Sequence, residues 1–302
     1  MSDTSRAANQ SGGSFLKVKH LGRRKVNRSL GGNLVLFLFL FLMGCFMILP
    51  FVYSVLQSVK PVEEIFVFPP RFFVRRPTVD NYTQLFRLAN SLWVPFGRYL
   101  LNSVLISVAV TSLHVLVSSM AGFALAKYRF PLSRALFEIV VVALLFTGDV
   151  INVMRYLVLA KLHIIDTVWA LLLPSIAAPL GLFLMTQFMK KLPTSLLEAA
   201  EIDGASTYRI LLHVVMPNVK PAWLTLIIFC FQNVWNMTGG NYIYSEQLKL
   251  LPTVLNQVSS GGIARAGVGA AAAVILMAVP IVLFLFAQGS IMETMAESGI
   301  KE

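Results

Sequence analysis

Three amides and an indole in an apolar segment have the types and the spacing to bind a molecule rich in hydroxyl groups. They are Gln232, Asn233, Trp235 and Asn236. An amide donates and accepts hydrogen bonds, and the face of an indole packs against apolar C–H surface. On a helix, Gln232 and Asn236 share a face, Asn233 adjoins it, and Trp235 is set toward the neighbouring side. We therefore predict a ledge of amides beside one aromatic wall.

A second candidate is the polar segment 198–221, which reads EAAEIDGASTYRILLHVVMPNVKP. Ser195 and Glu198 have the S-x-x-E spacing of a capping box, in which a hydroxyl and a carboxylate pair with backbone N–H groups at a helix start. A helix is therefore predicted to begin near Ser195. Glu198 and Glu201 would lie in its early turns, where negative charge suits the positive end of the helix dipole.

This predicted helix ends at a glycine. Gly204 can take the left-handed conformation that closes a helix, and Ser206 can cap a second helix running to about Pro217. The expected product is a short lever, bent at Gly204, that can enter a groove on another protein. The face that would enter it carries small side chains, at Ala199, Ala200, Gly204 and Ala205. The alternative is an ordinary loop with an accidental S-x-x-E spacing.

The composition places both segments in a membrane protein. Hydrophobic residues make up 57% of the 302 residues, charged residues 13%, and the mean hydropathy is +0.74. A globule of this length cannot keep so much apolar surface away from water. A bilayer-spanning helix needs about twenty mostly apolar residues, and six segments are candidates: residues 33–56, 98–126, 135–159, 168–188, 223–237 with its flanks, and 267–287. The predicted class is an all-α polytopic membrane protein with about six transmembrane helices.

The spans divide the chain into five parts, with the lever, residues 193–217, joining the fourth span to the fifth. These parts are a basic N-terminal tail (1–32), a first transmembrane helix (33–56), an external loop (57–97), a core domain of five spans (98–290) and a C-terminal tail (291–302). The first apolar run is longer than that of a signal peptide, and no small-residue cleavage site follows it. We expect it to stay as an anchor.

Lys and Arg near the span ends predict the orientation, because cytoplasmic loops carry an excess of them. They cluster in the tail before the first span, between the second and third spans, and between the fourth and fifth. The external loop 57–97 also holds four Arg residues, but the other loops agree with one another. Both termini and the lever are therefore expected on the cytoplasmic side.

The order Glu198-Ala199-Ala200, Asp203-Gly204-Ala205 and Met216-Pro217 resembles the EAA loop of the permease subunits of binding-protein-dependent ABC importers. The loop from Ser58 to Phe86 and the segment 162–167 are similar to the carbohydrate-uptake, maltose-type branch of these permeases. The resemblance runs over roughly residues 33–301. It implies that an ATPase binds the lever at the residues of the EAA loop. Without the resemblance, the loop after the first span would be an extracellular linker with a short amphipathic helix over 79–88.

The family resemblance implies transport by alternating access. An extracellular binding protein would deliver a carbohydrate, with an oligosaccharide favoured, and a cytoplasmic ATPase dimer would drive the spans through the lever. A second, homologous permease is expected as a partner, since one chain of six spans does not comfortably enclose a path. Two alternatives stay open: a permease for another solute, such as a polyol, a glycerophosphodiester or a peptide, and a membrane scaffold or channel that ATP does not drive.

No catalytic chemistry is predicted for this chain. It lacks the G-x-x-x-x-G-K-[ST] phosphate loop, so ATP and Mg²⁺ are expected on the partner ATPase and no cofactor on this chain. Its four histidines are dispersed, and Cys45 and Cys230 lie far apart in apolar runs, so neither a metal site nor a disulfide is predicted.

Two polar groups within the spans have two interpretations each. The amides and Trp235 could lie at the outer membrane interface, where such side chains are common, rather than along a path. In the third span, four polar residues could pair with other helices, which we favour, or line the path. These four are Glu138, Asp149, Asn152 and Arg155.

Overall fold

The structure, a computed structural model, describes residues 30–146, 148–240 and 242–298. In these residues every regular element is a helix. In chain order they are α1 (Leu30–Ser58), α2 (Val62–Ile65), α3 (Asp80–Asn90), α4 (Phe96–Lys127), α5 (Ser133–Ala143), α6 (Gly148–Lys161), α7 (Trp169–Ile176), α8 (Pro179–Lys190), α9 (Thr194–Ile202), α10 (Thr207–Arg209), a π-helix (Ile210–Val215), α11 (Met216–Asn218), α12 (Lys220–Trp235), α13 (Leu251–Ser259) and α14 (Ala266–Ser298), with short 3-10 turns at Glu246–Leu248 and Ile263–Arg265. The predicted all-α class is confirmed.

The chain forms two units, Met1–Leu49 and Pro50–Glu302. The predicted basic tail lies almost wholly outside the described residues, and so does the end of the predicted C-terminal tail, at 299–302. In the first unit, residues 31–49 are exposed on all sides of an apolar helix. Phe37 and Phe41, one turn apart, stack their rings with centroids 6.2 Å apart. A helix that is apolar all round and has no core partner among the described residues of its own unit is suited to lipid.

Four helical segments are long and apolar enough to span a membrane: Gly31–Ser58, Phe96–Lys127, Trp169–Lys190 and Ala266–Gly289. They match the predicted first, second, fourth and sixth spans. A fifth candidate is a bent pair, Thr207–Asn218 with Lys220–Trp235, whose second arm is the predicted fifth span. The described residues thus give four or five candidate spans, and the predicted count of six is not confirmed.

The predicted third span differs from the structure. Residues 135–159 do not form one helix but belong to α5, of 11 residues, and α6, of 14 residues. At a rise of about 1.5 Å per residue, neither crosses a hydrocarbon core of about 30 Å. The end of α5 tightens, because Leu145 N–H donates to the carbonyl of Val142 and Phe146 N–H to that of Ala143, three residues back in each case. This tightening ends the helix where the sequence pattern predicted its continuation.

In the second unit α4 packs against α7, α8 and α12. The contact with α8 is close at two glycines. A Cβ at Gly181 would lie 2.3 Å from Nε2 of His114, and a Cβ at Gly122 would lie 2.9 Å from the Cβ of Met185. Neither position accommodates a side chain without a shift of its neighbours, so the two glycines set the distance between the helices.

The segment predicted as an external loop is folded rather than an open linker. The carboxylate of Glu64 accepts hydrogen bonds from the backbone N–H groups of Arg75, at 2.8 Å, and Arg76, at 3.5 Å. The amide of Asn81, at the start of α3, donates to the carbonyls of Ser58 and Lys60 at 2.9 and 2.8 Å. The predicted amphipathic helix over 79–88 is confirmed as α3.

Two groups of loops meet at opposite ends of α4. At its start, Tyr99 donates to a carboxylate oxygen of Glu246 at 3.0 Å, and the Asn102 amide donates to the carbonyl of Gln247 at 2.8 Å. At its far end, the ammonium of Lys127 donates to the carbonyl of Leu192 at 2.5 Å. We call the start of α4 the loop end and its far end the lever end. A helix of 32 residues holds them about 45 Å apart.

Candidate functional site

The first arm of the lever is α9, and its start corrects the predicted capping box. The helix begins at Thr194, within one residue of the prediction, but its N-cap is Pro193, which makes no side-chain capping bond. Leu196 N–H already donates to the carbonyl of Pro193. Ser195 therefore lies inside the first turn, and it does not form the predicted reciprocal pair with Glu198.

The bend of the lever is at Gly204, as predicted. Gly204 has a φ of 76°, in the left-handed region. Its N–H donates to the carbonyl of Glu201 at 3.0 Å, and Ala205 N–H donates to that of Ala200 at 3.0 Å. These two bonds form a Schellman motif, which satisfies carbonyls that the helix end would leave unpaired.

The second arm runs through α10, the π-helix and α11 rather than as one α-helix. Ser206 occupies the N-cap position, as predicted, but makes no side-chain capping bond. The first hydrogen bond of this arm joins Ile210 N–H to the carbonyl of Ser206 at 2.9 Å. The arm turns into α12 at Val219, where the helical pieces meet at 84°. Pro217 and Pro221 flank this bend, and Pro221 supplies no N–H to carry the helix through it.

The lever has one face fixed in the protein and one face free. Leu197, Ile210 and Val215 are buried in a cluster with Phe123 of α4 and Met185 of α8. On the free face, Ile202, Tyr208 and Leu212 are 86%, 68% and 56% exposed. Of the residues predicted to couple to a partner, Glu198, Ala199, Asp203, Gly204 and Pro217 are exposed, and Ala200, Ala205 and Met216 are half-buried. The sequence predicted that small residues form the contact face, and the apolar side chains of the free face were not predicted.

Trp235 does not form the predicted aromatic wall. Its side chain is 1% exposed. The ring stacks on that of Phe231 with centroids 5.8 Å apart, and the indole N–H donates to the carbonyl of Leu276 at 2.9 Å. Because the face of the indole and its N–H donor both have partners inside the core, Trp235 positions the end of α12 and is not accessible to a ligand.

The three amides are exposed but do not open into one space. Gln232 and Asn236 share a face, as predicted, and both line a cavity of about 490 Å³ between α12 and α14. Asn236 also lines a larger cavity of about 780 Å³ at the loop end. Asn233 lines a different cavity of about 610 Å³. The role of these amides in a transport path stays a prediction.

The cavity of about 780 Å³, which we call the loop-end cavity, lies between α6 and the segment after α12. Its polar and aromatic lining residues are Asn152, Arg155, Tyr156, Asn236, Thr238, Tyr242 and Tyr244. Three tyrosines thus supply the aromatic surface that Trp235 was expected to supply. These tyrosines were not predicted from the sequence, although Gly239-Gly240 marks a turn and tyrosines closely follow it. Gly239 and Gly240 have φ values of 73° and 48°.

Asp166 holds the tyrosine segment in place. One carboxylate oxygen accepts from the N–H groups of Tyr244 and Ser245 at 2.9 and 2.8 Å, and the other accepts from the Ser245 hydroxyl. Asp166 N–H donates in turn to the carbonyl of Tyr242 at 2.8 Å. The hydroxyl and N–H of Ser245 lower the pKa of Asp166, because they stabilise its charged form.

The cavity of about 610 Å³, which we call the mid-helix cavity, lies halfway along α4 at the break between α7 and α8. His114 lines it, and Nδ1 of this residue lies 2.8 Å from the carbonyl of Ile176 at the end of α7. Arg155 and Met237 line both the mid-helix cavity and the loop-end cavity. Among the described residues, no group of three or more His, Cys, Asp or Glu side chains could hold a metal ion.

The polar residues of the predicted third span lie in different surroundings. Glu138 pairs with Arg134 of the same helix at 3.0 Å, and both are exposed, so this pair joins no two helices. Asn152 and Arg155 line the loop-end cavity. The side chain of Asp149 lies outside the described residues. For Asn152 and Arg155, the choice between interhelical pairing and a path therefore stays a prediction.

Comparison with known proteins identifies relatives of this architecture. The arabinooligosaccharides transport system permease protein AraQ of Halalkalibacterium halodurans is 31% identical over 195 residues, covering 63% of this chain and 67% of AraQ. AraQ of Bacillus subtilis is 26% identical over 277 residues, covering 89% of this chain and 96% of AraQ. A chain from the crystal structure of a bacterial ABC transporter involved in the import of the acidic polysaccharide alginate has the same fold, with a TM-score of 0.71 at 19% identity, over 87% of this chain and 98% of that one.

The match to a family covers most of the chain and agrees with the helical architecture. Residues 32–294 match the family described as the binding-protein-dependent transport system inner membrane component. This range contains the candidate spans, the lever and both cavities. The chain therefore belongs to this family and is a multi-pass membrane permease of an ABC importer.

Proposed function

We infer that this chain is one of two homologous permease subunits that form the path for a carbohydrate, and that a cytoplasmic ATPase dimer moves it through the lever. The observation that carries this function is the two-faced lever. Its buried face packs with α4 and α8, while Ile202, Tyr208 and Leu212 on its other face are exposed. Exposed apolar side chains beside polar ones are typical of a surface that another protein covers.

The packing of the lever supports a mechanical role. Its buried residues belong to the same cluster as Phe123 of α4, Met185 of α8 and Leu226 of α12. A displacement of the lever by a partner would therefore act on three core helices at once. Packed elements shift as rigid bodies more readily than they deform, so such a displacement can open one end of a path as the other closes.

The substrate class rests on the relatives and on the cavity. The two AraQ proteins serve transport of arabinooligosaccharides. In this chain, the loop-end cavity presents amides and tyrosines, which donate and accept hydrogen bonds with hydroxyl groups and pack on sugar rings. An extracellular binding protein would deliver the carbohydrate at this end, in keeping with the family's dependence on such a protein.

The proposed arrangement puts both chain termini and the lever on the cytoplasmic side of a prokaryotic inner membrane. ATP and Mg²⁺ would bind the partner ATPase, and this chain would bind no cofactor. Glu198, Ala199, Ala200, Asp203, Gly204, Ala205, Met216 and Pro217 would form the ATPase contact together with the apolar free face.

Copurification of the ATPase with variants of the free face tests this function. Ile202→Asp places a charge on the free face of the lever, and we expect it to reduce both copurification of the ATPase and ATP-dependent uptake at least several-fold. Val79→Asp is the matched control, because Val79 is also an exposed apolar residue, 66% exposed, but lies in the external loop. Copurification of the ATPase that is equal for wild type and Ile202→Asp would contradict the assignment of the free face.

A further inference from the structure

We propose that the transported molecule carries an anionic group, either a carboxylate or a phosphate ester, and that Arg155 binds this group. This inference rests on the proposed function and narrows its substrate class. It starts from the position of Arg155 on α6, where the half-buried side chain lines the loop-end cavity and the mid-helix cavity. A solute that moves from one cavity to the other along their shared lining therefore passes the guanidinium.

The guanidinium of Arg155 has no counter-ion among the side chains that the structure describes. It makes neither an ion pair nor a hydrogen bond with another residue in the part of the chain that the structure describes. Two acidic residues described at the loop end already have partners, since Asp166 is bonded to Ser245 and Glu246 pairs with Lys249 at 2.5 Å.

An unpaired guanidinium is costly in apolar surroundings, and such residues in membrane proteins mark ligand pathways. Two features of the site around Arg155 are suited to an acidic ligand. Arg presents N–H donors in a planar fork that fits the two oxygens of a carboxylate or a phosphate. The described residues that line the two cavities include no Asp or Glu, so no fixed carboxylate there competes with an incoming anion.

The neighbours of Arg155 specify the rest of the ligand. Tyr242 OH lies 3.5 Å from Oδ1 of Asn152, and Tyr244 OH lies 3.4 Å from Tyr156 OH, so these polar groups face one another across the same cavity. Both distances are long for hydrogen bonds between hydroxyl and oxygen groups, which leaves these groups free to bond to a ligand. Hydroxyl-binding groups around one cation fit an acidic saccharide better than a neutral one.

Binding to the purified transporter in lipid nanodiscs, without the binding protein, tests the inference. The probes are trigalacturonate, the same trisaccharide with its carboxylates reduced to alcohols, and glycerol phosphate. We expect wild type to bind trigalacturonate or glycerol phosphate at least tenfold more tightly than the reduced trisaccharide, as for other charge-assisted hydrogen bonds. Arg155→Gln should remove this preference without weakening the binding of the reduced trisaccharide, and Arg155→Lys should retain part of it.

The control variant is Lys161→Gln, which removes the same charge from an exposed residue of α6 that lines neither cavity. It should bind every probe as wild type does. The anion that binds more tightly identifies the acidic group as carboxylate or phosphate. Equal binding of trigalacturonate, glycerol phosphate and the reduced trisaccharide by wild type would overturn the inference while leaving the proposed carbohydrate permease intact. If no saccharide binds or is taken up by the complete transporter, the proposed function fails as well.

Discussion

At the scale of single residues, Asp166 controls the shape of the loop-end cavity. It lies before α7, and its carboxylate holds the segment of Tyr244 and Ser245 that follows α12. Its φ of 59° is one that Asn and Asp tolerate better than most residues. The sequence separates the two segments by almost eighty residues, so this joint is visible only in the folded chain.

The lowered pKa of Asp166 makes this joint sensitive to pH. A carboxyl group whose pKa is depressed in the folded state stabilises the fold above its unfolded value, about 4, and loses that contribution as the pH falls through the folded value. Asp166→Asn keeps the shape and tolerates the positive φ but carries no charge. We expect its thermal midpoint to be lower than that of wild type at pH 7 and the difference to shrink below about pH 4.

The measurement is thermal unfolding of the purified protein at a series of pH values. Asp80→Asn is a suitable control, since it removes an exposed carboxylate that accepts no hydrogen bond from any described residue. A constant difference between wild type and Asp166→Asn across the pH series would show that the charge of Asp166 does not stabilise the joint.

At the scale of elements, the lever combines a rigid corner with a buried base. The Schellman motif fixes the angle after α9, and the cluster around Val215 fixes the second arm against the core helices. A Cβ at Gly204 would meet no atom within 4 Å, so the cost of a side chain there arises from the backbone alone. This separates the conformational role of the glycine from any crowding within the chain.

Gly204→Val should therefore impair transport without preventing membrane insertion. A β-branched residue resists the left-handed conformation, at a cost of roughly 1–2 kcal/mol, and also raises the surface that would enter the ATPase. Gly204→Asn is the matched variant, because Asn takes this conformation more easily. Substrate uptake and ATPase copurification, at matched levels of permease in the membrane, should decline in the order wild type, Gly204→Asn, Gly204→Val. Normal uptake by Gly204→Val would remove the reason for assigning the bend to Gly204.

At the scale of the whole second unit, the loops segregate along α4. The segments around 162–168 and 238–250 meet at its start, and Leu192 and Thr207 lie near its end, beside Lys127 and Tyr128. This grouping is the one that the alternation of basic loops predicts. The direction in which α4 crosses a membrane is still a prediction from charge.

Labelling of single cysteines in intact cells tests that direction. In a background with Cys45 and Cys230 replaced by Ala, cysteines at the exposed positions Gln84 and Gln247 should react with an impermeant reagent from outside. Cysteines at Glu198 and Arg129 should react only after the membrane is opened. External labelling at Glu198 would overturn the functional proposal, because no cytoplasmic ATPase could then reach the lever.

The sequence by itself determined the features that depend on local or one-dimensional patterns. Apolar runs long enough for a bilayer gave most of the candidate spans, and the glycine between two helical segments located the bend at Gly204, because only backbone preferences are needed there. The order of residues around this glycine was also sufficient to indicate the family. The coupling role of these residues stays a prediction.

Tertiary structure decided the features in which neighbouring residues compete for the same contacts. The capping box failed because Pro193 starts the helix earlier, and the third span broke where the end of α5 tightens. By residue type, Trp235 was predicted to bind a ligand. In the structure its ring stacks in the core and its indole N–H donates to a carbonyl of α14. The cavity that brings Arg155 together with Tyr242 and Tyr244 combines segments far apart in sequence. No periodicity encodes such a site, since it depends on which helices pack together and which side chains find partners within the core.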